Sequence, residues 1–220
     1  MMGHAGMAAT AVRYLRAVGS PTASVRPVDP LPPPELRCVR DDERPPVDPA
    51  AFRRVLGHFA SGVTVITTVD ATGPAGFVCQ SFVSLSLDPP LIAFMVARTS
   101  TTWPRIARAG VFCVNVLGAH QGELCRAFAV SGSRRPDKFA GVRYEPSPVT
   151  GSPRLADVPA WIDCAVHTVH TGGDHLVVVG RVRALAADES AARSGPLLFH
   201  RGSFGEFTPL PASPPARTPT

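Results

Sequence analysis

No stretch of this 220-residue sequence approaches the roughly 18–20 consecutive apolar residues of a membrane-spanning helix, so membrane insertion is not expected. The opening segment, Met1 to Gly19, carries Arg13 and Arg16 without a long apolar core, which argues against a secretory signal. Its Arg-rich, acid-poor character leaves an organellar transit peptide as the minor alternative. Cysteine is scarce. The five, at positions 38, 79, 113, 125 and 164, form no Cys-x-x-Cys pair, and their odd number and wide spacing fit neither a disulfide framework nor a zinc site. Cys79, Cys113 and Cys164 fall in apolar, strand-like runs, where a free thiol behaves as a small buried hydrophobe. A reducing compartment, the cytoplasm, is expected.

Several catalytic signatures are missing too. There is no Gly-x-x-x-x-Gly-Lys-Ser/Thr loop, no Gly-x-Gly-x-x-Gly between a strand and a helix, and no Gly-x-Ser-x-Gly elbow. The seven histidines make no metal constellation; His167 and His170, three apart on a predicted strand, point to opposite faces. Sparse carboxylates in the body disfavour a paired-acid hydrolase. The formal charge of +5 is diffuse: residues 1–47 hold six arginines against five acids, and Arg134, Arg135 and Lys138 are the one tight basic group. Such an excess suits an anionic small molecule better than a nucleic acid, which is not expected as a partner.

What is present divides into three parts. The 24 prolines concentrate at the ends. Residues 1–47 read as a disordered or loosely ordered Pro-rich extension with a marginal helix at 9–18, and 208–220 as a Pro-rich tail. Order is expected over 48–207. Asp48-Pro49 is a helix start, and Phe52, Val55, Leu56 and Phe59 follow at the spacing of one helical face. Gly62–Val69 and Ala75–Val83 predict a hairpin around Asp70–Pro74, and Leu91–Val96 a buried strand. Residues 102–109 predict a helix ended by Gly110, Val111–Leu117 a strand, and 119–129 a helix. Trp161–His170 and His175–Leu185 flank Thr171-Gly172-Gly173-Asp174, a strong hairpin signal, and Pro196–His200 is a last short strand. Six or seven hairpin-connected strands with a few short helices predict a mainly β, antiparallel barrel. A barrel rich in Ser, Thr and loop amides suits a phosphate-bearing cofactor that does its own chemistry.

Five stretches carry a resemblance: Gly62–Thr68 (GVTVITT), Cys79–Leu91 (CQSFVSLSLDPPL), Val111–Leu117 (VFCVNVL), Pro136–Gly141 (PDKFAG), and Gly172–His175 (GGDH) with Pro196–Phe204 (PLLFHRGSF). In order, over about residues 50–207, they resemble the flavin reductase domain of two-component flavin-dependent monooxygenases, in its actinobacterial form. The N-terminal extension and a small polar insertion at 131–135 depart from that pattern. The resemblance implies a split antiparallel β-barrel and a homodimer with flavin at the subunit interface. It implies an NAD(P)H-dependent flavin reductase that oxidises NADH, reduces FAD or FMN, and supplies diffusible reduced flavin to a partner monooxygenase or halogenase. FAD is preferred on resemblance, and NADH because no basic cluster is committed to a 2′-phosphate. The alternative is a split-barrel protein that holds its flavin tightly and reduces another acceptor, or a binding module.

The same resemblance implies the site. Gln80, Ser81, Phe82, Ser84, Leu85 and Ser86 would run beside the isoalloxazine, where alternation puts Ser81 and Val83 on one face and Gln80, Phe82 and Ser84 on the other. Arg98, Ser100 and Thr101 precede a helix and offer hydroxyls, amides and charge to a flavin phosphate, though Ser100 or Thr101 would also serve as an ordinary N-cap. Lys138 would face phosphate and Phe139 would pack. Arg201 would approach a cofactor or form a salt bridge, and Thr64 and Phe204 complete the cofactor-binding set. His175 would lie near the nicotinamide and flavin rings, as nicotinamide ligand and candidate proton source. No metal ligands are expected. Hydride transfer needs no protein nucleophile, so the protein's task is to stack and orient.

Overall fold

The computed structural model describes residues 47–130 and 137–210. The marginal helix at 9–18, the extension up to residue 46, the insertion at 131–135 and the tail beyond residue 210 lie outside the described residues. Helix α1 spans Pro49–Leu56, and the Asp48 carboxylate accepts from the Ala50 and Ala51 amides at 3.2 and 2.9 Å. The apolar period of α1 is as predicted, but the described residues leave it uncovered: none of its residues is buried, and Phe59 just beyond is 82% exposed.

The centre is a seven-stranded antiparallel sheet. Its strands are β2 (Thr64–Asp70), β3 (Gly73–Cys79), β4 (Val83–Leu87), β5 (Pro90–Ala97), β6 (Val111–Val116), β9 (Ala160–Gly172) and β10 (His175–Ala187), in the order β3-β2-β6-β9-β10-β5-β4. β1 (Ser61–Gly62), β11 (Leu198–His200) and β12 (Ser203–Gly205) form a small second sheet, and β7 (Tyr144–Pro146) pairs with β8 (Pro153–Leu155). Helix α2 (Trp103–Ala109) ends on Gly110 in the left-handed conformation, φ 68°. A 3-10 turn (Ala119–Gln121) leads into α3 (Gly122–Ala129), and α4 is the short Glu189–Ala192. The fold is the mainly β, antiparallel split barrel expected from the sequence.

The sheet is packed on both faces because its strands alternate two apolar sets. Ile66 joins Ile92, Phe94, Phe112, Val114 and Val178 on one side, while its neighbour Val65 joins Leu117, Phe128, Phe139, Leu155 and Leu197 on the other. Polar residues inside the barrel are matched. Asn115 donates to the carbonyls of Val65 and Pro153 and accepts from the Leu155 amide, and buried Asp163 accepts from the amides of Val149 and Thr150. These bonds fasten the β7–β8 hairpin across the sheet. At the β2–β3 turn, Arg105 of α2 forks onto Asp70 at 2.7 and 2.8 Å and reaches the Gly73 carbonyl, holding the Asp70 carboxyl well below the usual carboxylate range.

Three boundaries differ from the sequence reading. The strand expected over Ala75–Val83 stops at Cys79; Phe82 turns into the core, so Gln80–Val83 do not alternate as a strand would. The run Gly62–Val69 is divided between two sheets, with Ser61–Gly62 pairing to β11 and Thr64 onward to β3 and β6. The strands number twelve among the described residues rather than six or seven, the additions being the five-residue β4 and four segments of two or three residues.

Candidate functional site

The tip of the β9–β10 hairpin is a two-residue turn, Gly173-Asp174, with His175 facing Gly172 on one side and Ala97 of β5 on the other. Gly173 has φ 66°, which this tight turn requires. His175 Nδ1 donates to the Asp174 carboxylate at 2.7 Å, leaving Nε2 as its available nitrogen. That bond, then the charge of His175 and more distantly that of Arg53, lower the Asp174 carboxyl from its ordinary value. The Asp174 carbonyl accepts the Arg98 amide at 3.0 Å. One residue thus joins the hairpin tip to the hydroxyl-rich turn Arg98–Thr102.

In that turn, Ser100 Oγ accepts from the Thr102 and Trp103 amides at 3.3 and 3.2 Å, so it caps the start of α2. Thr101 is exposed, and its hydroxyl and the Arg98 guanidinium have no protein partner among the described residues. Ser100 and Thr101 share a hollow of about 380 Å³ with Thr99, Thr102, Phe77 and Lys138. Lys138 Nζ is held by the Phe128 carbonyl at 2.8 Å and the Gly76 carbonyl at 3.4 Å, and burial lowers its pKa from 10.5. A half-buried ammonium beside a free hydroxyl suits a phosphate group, with the phenyl ring of Phe77 offering an apolar wall.

A second hollow, about 430 Å³, opens where β3 ends. Gln80 and Arg201 meet there with Phe52, Arg53, Phe59 and Phe199. β4 is an exposed edge of the large sheet, with Ser84, Leu85 and Ser86 around a bulge opposite β5. Ser81 bridges the gap before β4: its Oγ accepts from the Met95 amide at 2.9 Å and donates to the Met95 carbonyl at 3.0 Å, substituting for a missing strand partner.

Of the expected residues, Gln80, Ser100, Thr101, Lys138 and Arg201 line the two hollows, and three of the others are turned elsewhere. Thr64 is buried and donates to the Cys79 carbonyl at 2.8 Å. Phe139 is packed edge-on between Phe128 and Tyr144, as its packing role requires. Phe204 lies against Phe199 and faces another hollow, lined by His120, Glu123 and Arg126. Reasoning from sequence passed over Thr99 and Thr102, although the hydroxyl run included both. It also passed over Arg53, Phe52 and Phe59, for which no local signal existed. A further cleft, about 750 Å³ between Arg143–Trp161 and Ala187–Ser190, holds none of the expected residues. It sits at the far end of β9, 13 residues long and therefore roughly 40 Å from the hairpin tip.

The sequence pattern of the flavin reductase like domain matches residues 56–208, most of the chain, with Phe52 and Arg53 of the second hollow just ahead of the match. The chain belongs to the flavin reductase like family. Among its relatives, the reductase subunit HsaB of a flavin-dependent monooxygenase from Rhodococcus jostii is 50% identical over 163 residues, covering 74% of this chain and 80% of that protein. A flavin reductase of Pseudomonas putida is 45% identical over 168 residues, covering 76% of this chain and 95% of its own length. Among solved structures, nitrilotriacetate monooxygenase component B of Mycobacterium thermoresistibile superposes with a TM-score of 0.69 at 46% identity, over 76% of this chain and 93% of that one. The NADH:FAD oxidoreductase of Streptomyces globisporus, solved with NAD and FAD fragments, superposes with a TM-score of 0.68 at 33% identity, over 76% and 98%.

Proposed function

We propose that this flavin reductase family member oxidises NADH and reduces FAD or FMN, releasing reduced flavin to a separate oxygenase component. The observation that carries the reading is the Asp174 junction, which ties the His175 tip to the Arg98–Thr102 turn through a 3.0 Å backbone bond. A nicotinamide at the tip and a flavin phosphate at the turn would then sit at a fixed separation. The residues fit a flavin: Lys138 and Thr101 offer an ammonium and a free hydroxyl to its phosphate, and Val83, Leu85 and Met95 offer exposed apolar surface to its rings. When bound, the flavin supplies the hydride acceptor, so that NADH, H⁺ and oxidised flavin become NAD⁺ and reduced flavin. The chain's own part is orientation. Asp174 fixes the His175 ring and presents Nε2, the atom able to hold a nicotinamide carboxamide or deliver a proton.

A homodimer is part of the proposal. Its support is the apolar edge strand β4, where Val83, Leu85 and Leu87 are all exposed, a combination a lone chain in water rarely shows. Cytoplasmic residence is supported by four buried thiols with no disulfide among the described residues. Purified protein with NADH and excess flavin is expected to oxidise NADH at a rate that saturates with flavin concentration. Stoichiometric flavin binding without turnover would instead indicate a binding module.

A further inference from the structure

The cleft of about 750 Å³ between Arg143–Trp161 and Ala187–Ser190 lies at the end of the β9–β10 hairpin opposite the His175 tip, and the hydride-transfer reading leaves it unused. Its walls are tied in place. The Ala156 amide donates to the Arg143 carbonyl at 3.0 Å, the Gln121 carboxamide to the Ala156 carbonyl at 3.1 Å, and the Asp188 amide to the Pro159 carbonyl at 2.8 Å. Buried Leu155 and Val158 form the floor, and Trp161 packs against the same core cluster. The cleft is preformed, and its volume is that of a small-molecule site.

Its charge is opposite to that of the chain. The sequence carries +5, whereas the cleft is lined by four carboxylates, Glu145, Asp157, Asp188 and Glu189, and two guanidiniums. Both guanidiniums are already matched: Arg143 pairs with Asp157 at 2.6 Å, and Arg154 with Glu145. Asp188 accepts from the Ser190 and Ala191 amides and the Ser190 hydroxyl, and Arg193, five residues on, offsets part of its charge. Glu189 and the Tyr144 hydroxyl are left without a partner among the described residues. The unmatched groups are therefore acceptors beside an aromatic wall. That wall already holds one cation of the chain's own, since the Arg154 guanidinium stands 5.2 Å over the Trp161 ring while it pairs with Glu145.

We propose that this cleft binds a small organic cation, an ammonium or guanidinium on an apolar stem, with Glu189 and the Tyr144 hydroxyl accepting from its N–H groups and the stem lying on Trp161. The chemistry is complementary at each point. A carboxylate accepting from a charged donor makes the stronger class of hydrogen bond, an indole ring attracts a cation, and a stem of methylenes covers apolar surface while its charged head stays wet. A cleft lined by an excess of carboxylates also concentrates cations against the field of the basic chain around it. Flavin and nicotinamide phosphates are anions, so the charge that admits a cation here repels them. The proposal is independent of the flavin reductase reading.

The full chain would be titrated with agmatine, an aliphatic dication bearing one guanidinium and one ammonium, by calorimetry and by indole emission, Trp161 being one of two tryptophans. Wild type is expected to bind saturably, one ligand per chain, with a change in emission that follows the heat. Glu189→Gln is expected to weaken binding about tenfold, the order of a hydrogen bond to a charged group. Tyr144→Phe removes only a hydroxyl that bonds nothing in the described fold, and is expected to weaken binding about threefold, the order of a neutral hydrogen bond. Glu206→Gln, an exposed acid outside the cleft, is the control and is expected to bind within twofold of wild type. No saturable binding by wild type would overturn the proposal. So would affinities for E189Q and Y144F within twofold of wild type, or a loss in E206Q equal to that in E189Q, which would reduce the effect to general attraction between charges.

Discussion

Ser81 and Ser100 illustrate how much a single hydroxyl can hold. Each takes a pair of backbone groups that regular structure leaves unmatched: Ser81 both polar groups of Met95, Ser100 two amides at the start of α2. Thr101 has no such duty. Ser81→Ala is therefore expected to lower stability by about 1–2 kcal/mol, the penalty for stranded partners, in urea unfolding monitored by circular dichroism. Lys138 makes a different kind of prediction. Burial lowers its pKa from 10.5, so its charge is lost on raising the pH earlier than that of an exposed lysine. With the ammonium holding the phosphate, flavin affinity should weaken as pH rises, before an exposed lysine would titrate. Lys138→Met should weaken flavin binding about tenfold at pH 7, the order of a charged hydrogen bond, and abolish that alkaline limb. Fluorescence titration across pH measures both; an unchanged limb in the variant would refute the role given to Lys138.

At the scale of elements, close packing sets the tolerances. β10 crosses Phe112 at Gly180, where an added β-carbon would come within 2.4 Å of the ring and 3.1 Å of Ile92. Phe112 is fully buried and edge-on to Phe94, so it has nowhere to retreat. Gly180→Ala is expected to cost about 1–3 kcal/mol by overpacking, visible as a lowered melting temperature in calorimetry. The same elements show what the sequence could disclose. The hairpins β2–β3 and β9–β10 were legible because β-branched alternation and a Gly-Gly pair are local signals. β7 and β8 were not, since they are fastened by distant groups such as Asn115 and Asp163, which no window of sequence connects, and β12 is too short to show a period of its own. Phe82 was misplaced for the same reason: it packs against the core cluster of β5, β6 and β10 instead of extending β3. Among site residues, the Arg98–Thr101 turn could be read from its composition, whereas the meeting of Arg53, Gln80 and Arg201 depends on the chain returning after about 120 residues to the end of β3.

For the whole molecule, the decisive feature is an edge without cover. The large sheet is closed by neighbours everywhere except at β4 and β3, and β4 carries Leu87 at 70% exposure together with Val83 and Leu85. β3 has α3 against it, whereas β4 makes its one extensive contact among the described elements with β5. An edge that is both apolar and unpaired invites a second strand or a second sheet, and the simplest closed solution is a twofold pair of identical chains. Such a pair would also enclose the openings around Ser84–Ser86 and exclude water from the rings of a bound flavin. Assembly and flavin affinity should then fail together. Leu87→Asp places a charge where burial would strip its hydration, a penalty of several kcal/mol per interface and doubled by symmetry. Light scattering coupled to size exclusion should report a wild-type mass twice that of the chain and a variant mass equal to it, with flavin-dependent NADH oxidation lost in parallel. A wild type that runs as a monomer and still turns over would show that one chain suffices, because the apolar edge would then have to be protected by the cofactor alone.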